Sequence, residues 1–550
     1  MSLRDTILAK GKAVATSPRV MRFISDDRVM KATEGVLDAR VRLRAAWNIL
    51  KNGHGLPAID PALDDSIART EGEIDYSKVR RNGKSTTNGK SNGHSNGSAN
   101  GSAHAAAPHS SDIRLTPEQD ARPSARAPSG LTATEDFDND LRERGNLATM
   151  GGKDVFEKAY AFKTAENARK LGMYPFFRPL DYNDGPEAVI DGRRVTMFGS
   201  NNYLGLTTHP KVREAAVAAI QRFGTSMTGS RLVNGSMKLH NEFEAKIAAF
   251  MGKEAAVVFT TGYQVNIATC SALLSNKKCI AVIDRNVHAS LYDGVRLAQA
   301  AGCQLVRYKH NDAESLDRAL SRLEDAQGAL VVTDGVFSAE GEIAHLDEIV
   351  PVVKKHGARL LVDDAHALGV IGPGGRGTAH SFGLSNDVDL IAGTFSKSMA
   401  SIGGWLVGER KVLEYIQHFA PSFMFAASAA PPNVAAAMAA FDVMQEEPWR
   451  IEKLRENFTY MRTELSRLGF ELGKTQTAVI PIYIRQDLRT LMMWRDLLEE
   501  HGIYTNPFIS PGVPPKHAML RTSYMATHER AHLDRGLEAL EKVGKKYGII

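Results

Sequence analysis

The sequence predicts an α/β fold built on a mostly parallel sheet, and three observations lead there. Short apolar, β-branched runs recur between residues 255 and 395, helix-like stretches separate them, and polar clusters fall directly after the runs. The runs are AAVVFT (255–260), CIAVID (279–284), ALVVTD (329–334), ARLLVDD (358–364) and DLIAGTF (389–395). Strands spaced by helices imply a sheet covered on both faces. The stretch HLDEIVPVVKKHG is one such helix, ending at Gly357, a natural terminator. After Pro431-Pro432 the pattern changes to two long helical segments and short strands, so a smaller α+β C-terminal domain is expected.

At 550 residues and 59.9 kDa the chain is too long for one small core. With 43% hydrophobic and 24% charged residues it has the balance of an ordinary globular protein. A net charge of +5 is a mild excess and gives no reason to expect a nucleic-acid partner. Cys270, Cys279 and Cys303 are odd in number and lack metal-ligand spacing, as expected of thiols in a reducing compartment. The N-terminus has no signal-peptide core, and no segment approaches the ~20 apolar residues of a membrane span. A cytoplasmic location fits.

Five segments are expected. Residues 1–81 form a helical N-terminal extension, 82–130 a disordered linker, and 131–190 an arm of the catalytic unit. Residues 191–428 form the large domain and 429–550 the C-terminal domain. Within 18–51, Val29, Met30, Val36, Leu37, Val41, Trp47 and Leu50 recur at helical intervals with Arg40, Arg42, Arg44 and Lys51 between them. That stretch is either a helical appendage packed on the body or a basic amphipathic element making peripheral contact with membrane or an acyl carrier. The linker is rich in Gly, Ser and Asn, with too few apolar residues to offset the entropy of ordering.

Chemistry is expected just beyond the C-terminal ends of parallel strands. Thr260-Thr261-Gly262-Tyr263-Gln264 follows the first run and opens a helix. Its backbone N–H groups suit a phosphate, although a plain strand-to-helix turn has the same form. Asp363-Asp364-Ala365-His366 ends the fourth run. A carboxylate there needs a partner, and the protonated nitrogen of a pyridine ring is one. No further ligand lies at metal spacing, so no metal is expected. Gly393-Thr394-Phe395-Ser396-Lys397-Ser398 places a lysine at the same edge, with hydroxyls around it. Anchor, ring-nitrogen partner and Schiff-base amine in this order are what a pyridoxal-phosphate site requires.

From about Asn201 to the C-terminus the chain resembles the α-oxoamine synthases, pyridoxal-phosphate enzymes of the aspartate-aminotransferase-like fold (fold type I). The resemblance is carried by SNNYLGL (200–206), GSRLVNG (229–235), FTTGYQVN (259–266), NVHASLYDGV (286–295), TDGVFSAEGE (333–342), VDDAHALGVIGPGGRG (362–377) and GTFSKSMASIGG (393–404). It implies that Lys397 carries the cofactor and acts as base and acid at Cα. It also implies that Asp363 pairs with the ring nitrogen, His366 bonds the ring hydroxyl and His288 stacks on the ring. Gly262, Tyr263, Thr394 and Ser396 would hold the phosphate. Ser428, in FAASAAPP, resembles a hydroxyl contributed by a second subunit, which implies a homodimer with shared sites. Asn202 would line the substrate side, and Arg521, in MLRTS, would grip the amino-acid carboxylate.

The reaction implied is a decarboxylative condensation of an amino acid with an acyl thioester, giving an aminoketone. Ser396-Lys397-Ser398, GSRLVNG and FTTGYQVN are most similar to the branch that uses L-serine and a long-chain acyl-CoA to make 3-oxosphinganine. That branch carries an arginine twelve residues before the carboxylate arginine. Here the position is Ile509, and SPGVPPKHAML (510–520) is closer to the glycine-using branch. Glycine or alanine as the amino acid, or an acyl carrier protein as the donor, is the alternative.

Overall fold

Seven strands form the central sheet of the computed structural model, which describes residues 154–550 apart from 161, 325 and 326. The expected N-terminal helices and linker lie outside the described residues. Numbered in chain order, β1 to β3 are Tyr182–Asp184, Glu187–Ile190 and Arg193–Met197. The central sheet comprises β4 (Ala255–Phe259), β5 (Cys279–Asp284), β6 (Gln304–Tyr308), β7 (Gly328–Asp334), β8 (Arg359–Asp363), β9 (Leu390–Thr394) and β10 (Gly404–Gly408). Four further strands follow: β11 (Val479–Tyr483), β12 (Ile503–Tyr504), β13 (Asn506–Phe508) and β14 (Met519–Ser523).

The central order is β4-β10-β9-β8-β7-β5-β6, and only β10 runs antiparallel to its neighbours. All five runs read as strands are strands of this sheet. β6 and β10 join them without having stood out in the sequence.

Alternate side chains of these strands enter two separate cores, as the period of two requires. Ile280, Val282, Leu360, Val362, Trp405 and Val407 pack on one face. Ala281, Ile283, Leu361 and Leu406 pack on the other. Helices Gly262–Leu273 and Ala289–Gln299 cover the second face through Val265, Ala268, Leu291 and Val295. The first face receives Phe243 and Ile247 from helix Lys238–Met251, and Ile349 and Val353 from helix Leu346–Lys355. The latter helix ends two residues before Gly357, whose φ of 64° reverses the chain.

Two smaller sheets lie beside this one. β11, β14 and β13 form an antiparallel sheet in the order β11-β14-β13. β12 pairs in parallel with β3, joining the chain around residue 503 to the hairpin β2–β3. The segment after β3 then runs along the end of β14: Ser523 N donates to Phe198 O (2.7 Å) and Ala526 N to Tyr203 O (2.7 Å). This splice carries residues 198–206 from the small sheets to the edge of the large one. Among the described residues no helix is long and apolar enough to cross a membrane.

Leu406 lies at the middle of the antiparallel strand and is fully buried. Leu406→Ala is expected to lower unfolding stability by about 2–5 kcal/mol, measured by denaturant titration.

Candidate active site

A cavity of about 350 Å³ opens at the C-terminal edge of the central sheet. It is walled by residues that follow β4, β5, β7, β8 and β9. Lys397 reaches it three residues after β9. The amine keeps some surface open to the cavity, but protein encloses it otherwise. That enclosure pushes its pKa down to about 7; Asp363 opposes the shift, and the positive charge of Arg521 adds to it. The nucleophile is therefore substantially uncharged at neutral pH.

Asp363 is the last residue of β8 and is buried. Its Oδ1 accepts from Ala365 N (2.9 Å) and its Oδ2 from Asn266 Nδ2 (2.6 Å). Asn266 also donates to Ser290 Oγ (2.9 Å), which sits 2.7 Å from His288 Nδ1. The N–H of Ser290 donates to that same ring nitrogen (3.3 Å), so Nδ1 of His288 is the acceptor and Nε2 keeps its hydrogen. A chain of hydrogen bonds thus runs from the carboxylate to the histidine on the cavity wall. The neighbouring Asp364 points the other way. Its Oδ2 accepts from Thr378 N (3.0 Å), and a Cβ on Gly377 would sit 2.1 Å from that oxygen. The glycine-rich loop 369–377 therefore cradles a buried side chain.

Asp334 ends β7 directly opposite Asp363 in the strand register. Burial first, and then the charge of Asp363, hold its carboxyl well above the usual range. Its Oδ1 accepts from His288 N (3.3 Å). Asp334, Asn266 and Ser290 were not singled out in the sequence. Asp334 had a usable signal, since it ends the run ALVVTD, and Asn266 lies one helical turn beyond Gly262.

The turn after β4 has the form of an anion cradle. Thr261 caps the helix by accepting from Gln264 N (3.1 Å), leaving the first N–H groups of the helix turned toward the cavity edge. A Cβ on Gly262 would come within 2.7 Å of Thr394 Cβ, and one on Gly404 within 2.9 Å of Gly262 N. Glycine at both positions lets strand, turn and hydroxyls close up. Thr394 Oγ1 and Ser396 Oγ lie 2.9 Å apart beside this turn. The Tyr263 ring stands edge-on to His288 (6.1 Å), and its hydroxyl donates to Asp293.

His366 is buried on the opposite wall. Burial first, then the positive charges of Lys397 and Arg521, push its pKa well below the usual range, so the ring is neutral. Arg521, on β14, donates from Nε to Ser338 O (2.9 Å) and from Nη1 to Asn201 Oδ1 (2.8 Å) and Ser523 Oγ (2.6 Å). Asn201 is thus the asparagine on the arginine. Asn202 spends its amide within its own loop, donating to Thr207 Oγ1 (2.9 Å) and accepting from Leu206 N (3.0 Å). Ser428 is not brought to the cavity of its own chain. Its N–H donates to Gly229 O (3.0 Å), and its buried hydroxyl has no hydrogen-bond partner.

An enclosed amine, a fixed carboxylate, neutral histidines and an anion cradle around one cavity fit the needs of pyridoxal phosphate: ring-nitrogen partner, aldehyde-binding amine and phosphate donors. No cluster of metal-ligand type occurs among the described residues.

The fold and site define a pyridoxal-phosphate enzyme, and comparison with known proteins agrees. Residues 193–540 match the model of the aminotransferase class I and II family, and the chain belongs to it. A serine palmitoyltransferase of Sphingobacterium spiritivorum is 42% identical over 73% of this chain and 99% of its own. An 8-amino-7-oxononanoate synthase of Thermoanaerobacter pseudethanolicus is 38% identical over 70% of this chain and 96% of its own. A serine palmitoyltransferase variant from S. paucimobilis, solved with bound PLP–myriocin aldimine, is 34% identical with a TM-score of 0.69. It covers 72% of this chain and 100% of its own. Within the larger family the chain is an α-oxoamine synthase, an acyltransferase whose cofactor is pyridoxal phosphate.

The lowered pKa of Lys397 has a measurable consequence. Between pH 7 and the unfolded value of 10.5 the unfolded chain binds the extra proton, so stability rises with pH in that window. Cofactor-free wild-type protein should gain melting temperature between pH 7 and pH 9 relative to Lys397→Met. Parallel pH profiles for the two would contradict the assignment.

Proposed function

We propose that the enzyme condenses L-serine with a long-chain acyl-CoA, releasing coenzyme A and CO2 and forming 3-oxosphinganine. The single observation behind the chemistry is the cavity lined by Lys397, Asp363, His288 and His366, with Arg521 bonded to Ser338 on its wall. The choice of L-serine is supported by the identity to serine palmitoyltransferases and by Ser396 and Ser398 beside the lysine. The half-buried Ile509 and the loop 510–520, together with the resemblance to 8-amino-7-oxononanoate synthases, favour a second reading. In it, glycine or alanine is condensed, or an acyl carrier protein delivers the chain.

Pyridoxal phosphate, when bound, supplies the electron sink that makes Cα of the amino acid acidic. Lys397 holds the cofactor, and its Nζ takes the Cα proton and later returns one. Asp363, fixed by Asn266 and Ala365, would serve as the carboxylate for the ring nitrogen; His366 would bond the ring hydroxyl and His288 would pack on the ring. The turn at Gly262 and Tyr263, with Thr394 and Ser396, would hold the phosphate. Arg521, locked by Ser338 and Asn201, orients the substrate carboxylate, an arrangement that saves several kcal/mol of orientational entropy. A bond forms between Cα and the acyl carbon, the carbon–sulfur bond to coenzyme A breaks, and the carboxylate leaves as CO2.

The active unit in this reading is a homodimer with shared sites. Val233 and Phe425, both 75% exposed, flank the bridge between Ser230 and Ala427, beside the unpartnered hydroxyl of Ser428. An apolar surface of this kind around an unsatisfied hydroxyl suits a second copy of the chain. A cytoplasmic location, with peripheral membrane contact through residues 18–51, belongs to the same proposal.

A matrix of serine, glycine and alanine against acyl-CoA chain lengths and acyl carrier protein, following thiol release, tests the substrate. Serine with a long-chain acyl-CoA should give the highest kcat/KM, and Lys397→Ala should abolish turnover. Preference for glycine or alanine would select the second reading. Deleting residues 1–130 should spare activity on soluble substrates and reduce sedimentation with anionic vesicles; equal sedimentation would remove the membrane role.

A further inference from the structure

Tyr203 has no place in the chemistry described so far, yet it lies between two of its parts. It is fully buried, with 0% of its surface exposed, and lies within the splice that brings residues 198–206 to the large sheet. Its hydroxyl stands 2.7 Å from His366 Nδ1 and 3.3 Å from Asn201 Oδ1. The guanidinium of Arg521 also lies against it. A phenol in such a place is neutral and has one hydrogen to give.

Two arrangements are open to that hydrogen. In one it goes to Asn201 Oδ1, so that His366 must carry its own hydrogen on Nδ1 and turn a bare Nε2 to the cavity. In the other it goes to Nδ1, and the hydrogen of the neutral ring stays on Nε2. Distance separates them, since 2.7 Å is an ordinary strong contact and 3.3 Å a long one for a hydroxyl donor. Asn201 Oδ1 also accepts from the charged Arg521 Nη1 at 2.8 Å, which weakens its claim on a second donor. The positive charge beside the phenol oxygen makes that oxygen a better donor and a poorer acceptor.

We propose that Tyr203 is a positioning residue that fixes His366 as the tautomer bearing hydrogen on Nε2, while its oxygen rests against the guanidinium of the carboxylate-binding Arg521. The fixed ring presents a donor to the cofactor's ring oxygen. The substrate-side arginine and the cofactor-side histidine then share one rigid polar wall. This rests on His366 being the partner of the ring hydroxyl, but not on which amino acid is condensed.

The test compares Tyr203→Phe, His366→Asn and the double variant for the affinity of pyridoxal phosphate, by titrating cofactor-free protein and following the visible absorbance. The pH titration of the bound cofactor's absorbance is recorded for each. Each single variant should bind about ten-fold more weakly and shift that pH profile, and the double variant should be no weaker than His366→Asn alone. Wild-type affinity and pH profile in Tyr203→Phe, with His366→Asn weakened, would overturn the proposal, as would additive losses in the double variant. Wild-type behaviour of His366→Asn would overturn the underlying role of His366 and the proposal with it. Should Tyr203→Phe fail to fold, nitrogen-15 histidine spectra of the wild-type enzyme decide the matter. The His366 signal, identified by its absence in His366→Asn, must show hydrogen on Nε2; hydrogen on Nδ1 overturns the assignment.

Discussion

An amine and a carboxylate at the ends of neighbouring parallel strands organise this protein, because neither is stable there without the other. Enclosing Lys397 drives its pKa down to about 7, and Asp363 is the charge that limits the fall. Asp363 must then stay fixed, which is why it accepts from both Asn266 and Ala365. A second carboxylate, Asp334, sits beside it in register, and the same site will not support two negative charges. Asp334 is accordingly the one whose carboxyl is held well above the usual range, and its contact with His288 N ties the third strand end to the first two. The polar chain Asp363–Asn266–Ser290–His288 follows from the same need, since each buried polar group requires the next.

The single antiparallel strand serves the same edge. β10 lies between β4 and β9, and its first residue, Gly404, pairs with the last residue of each. The turn that opens the helix at Gly262 and the hydroxyls after β9 are thereby drawn together, with no side chain at Gly404 or Gly262 to hold them apart. A parallel strand here would need a crossover of a dozen or more residues in place of the short link from Thr394 to Gly404. The packing of Trp405 against Gly393, whose added Cβ would fall 2.4 Å from the indole, fixes β10 tightly to β9. Geometry at the cavity thus depends on three glycines in three strands or turns.

Much of this was legible in the sequence where a short rule connects a residue to its place. Strands buried on both faces read as continuous apolar runs, and the residue after such a run lies at the functional edge, so Asp363, His366 and Lys397 could be named. Asp334 obeys the same rule, but an aspartate after ALVVT looks like a plain strand end until its neighbour is known. The asparagine pair fails differently. Asn201 and Asn202 sit in an irregular segment with no period to assign faces, and only the folded loop turns the first toward Arg521 and the second inward. Tyr203 depends on a contact with His366, 163 residues further on, which no local pattern encodes.

The two walls of the cavity also differ in how much freedom the fold leaves them. The lysine and carboxylate belong to a sheet packed on both faces by two separate cores, so a shift of one strand end would disturb both. Arg521 comes from the small sheet, where β13 ends at Phe508 and pairs Asn506 with Arg521. Ile509 is the next residue and begins a loop that is free of the ladder and returns only at Met519. Ile509 brings no charge to this loop, whereas Arg521 on the ladder is held by Ser338, Asn201 and Ser523. Reaction type is therefore bound to the part of the protein that is hardest to change. The loop after Ile509, by contrast, stands outside the ladder and can vary without unmaking the sheet.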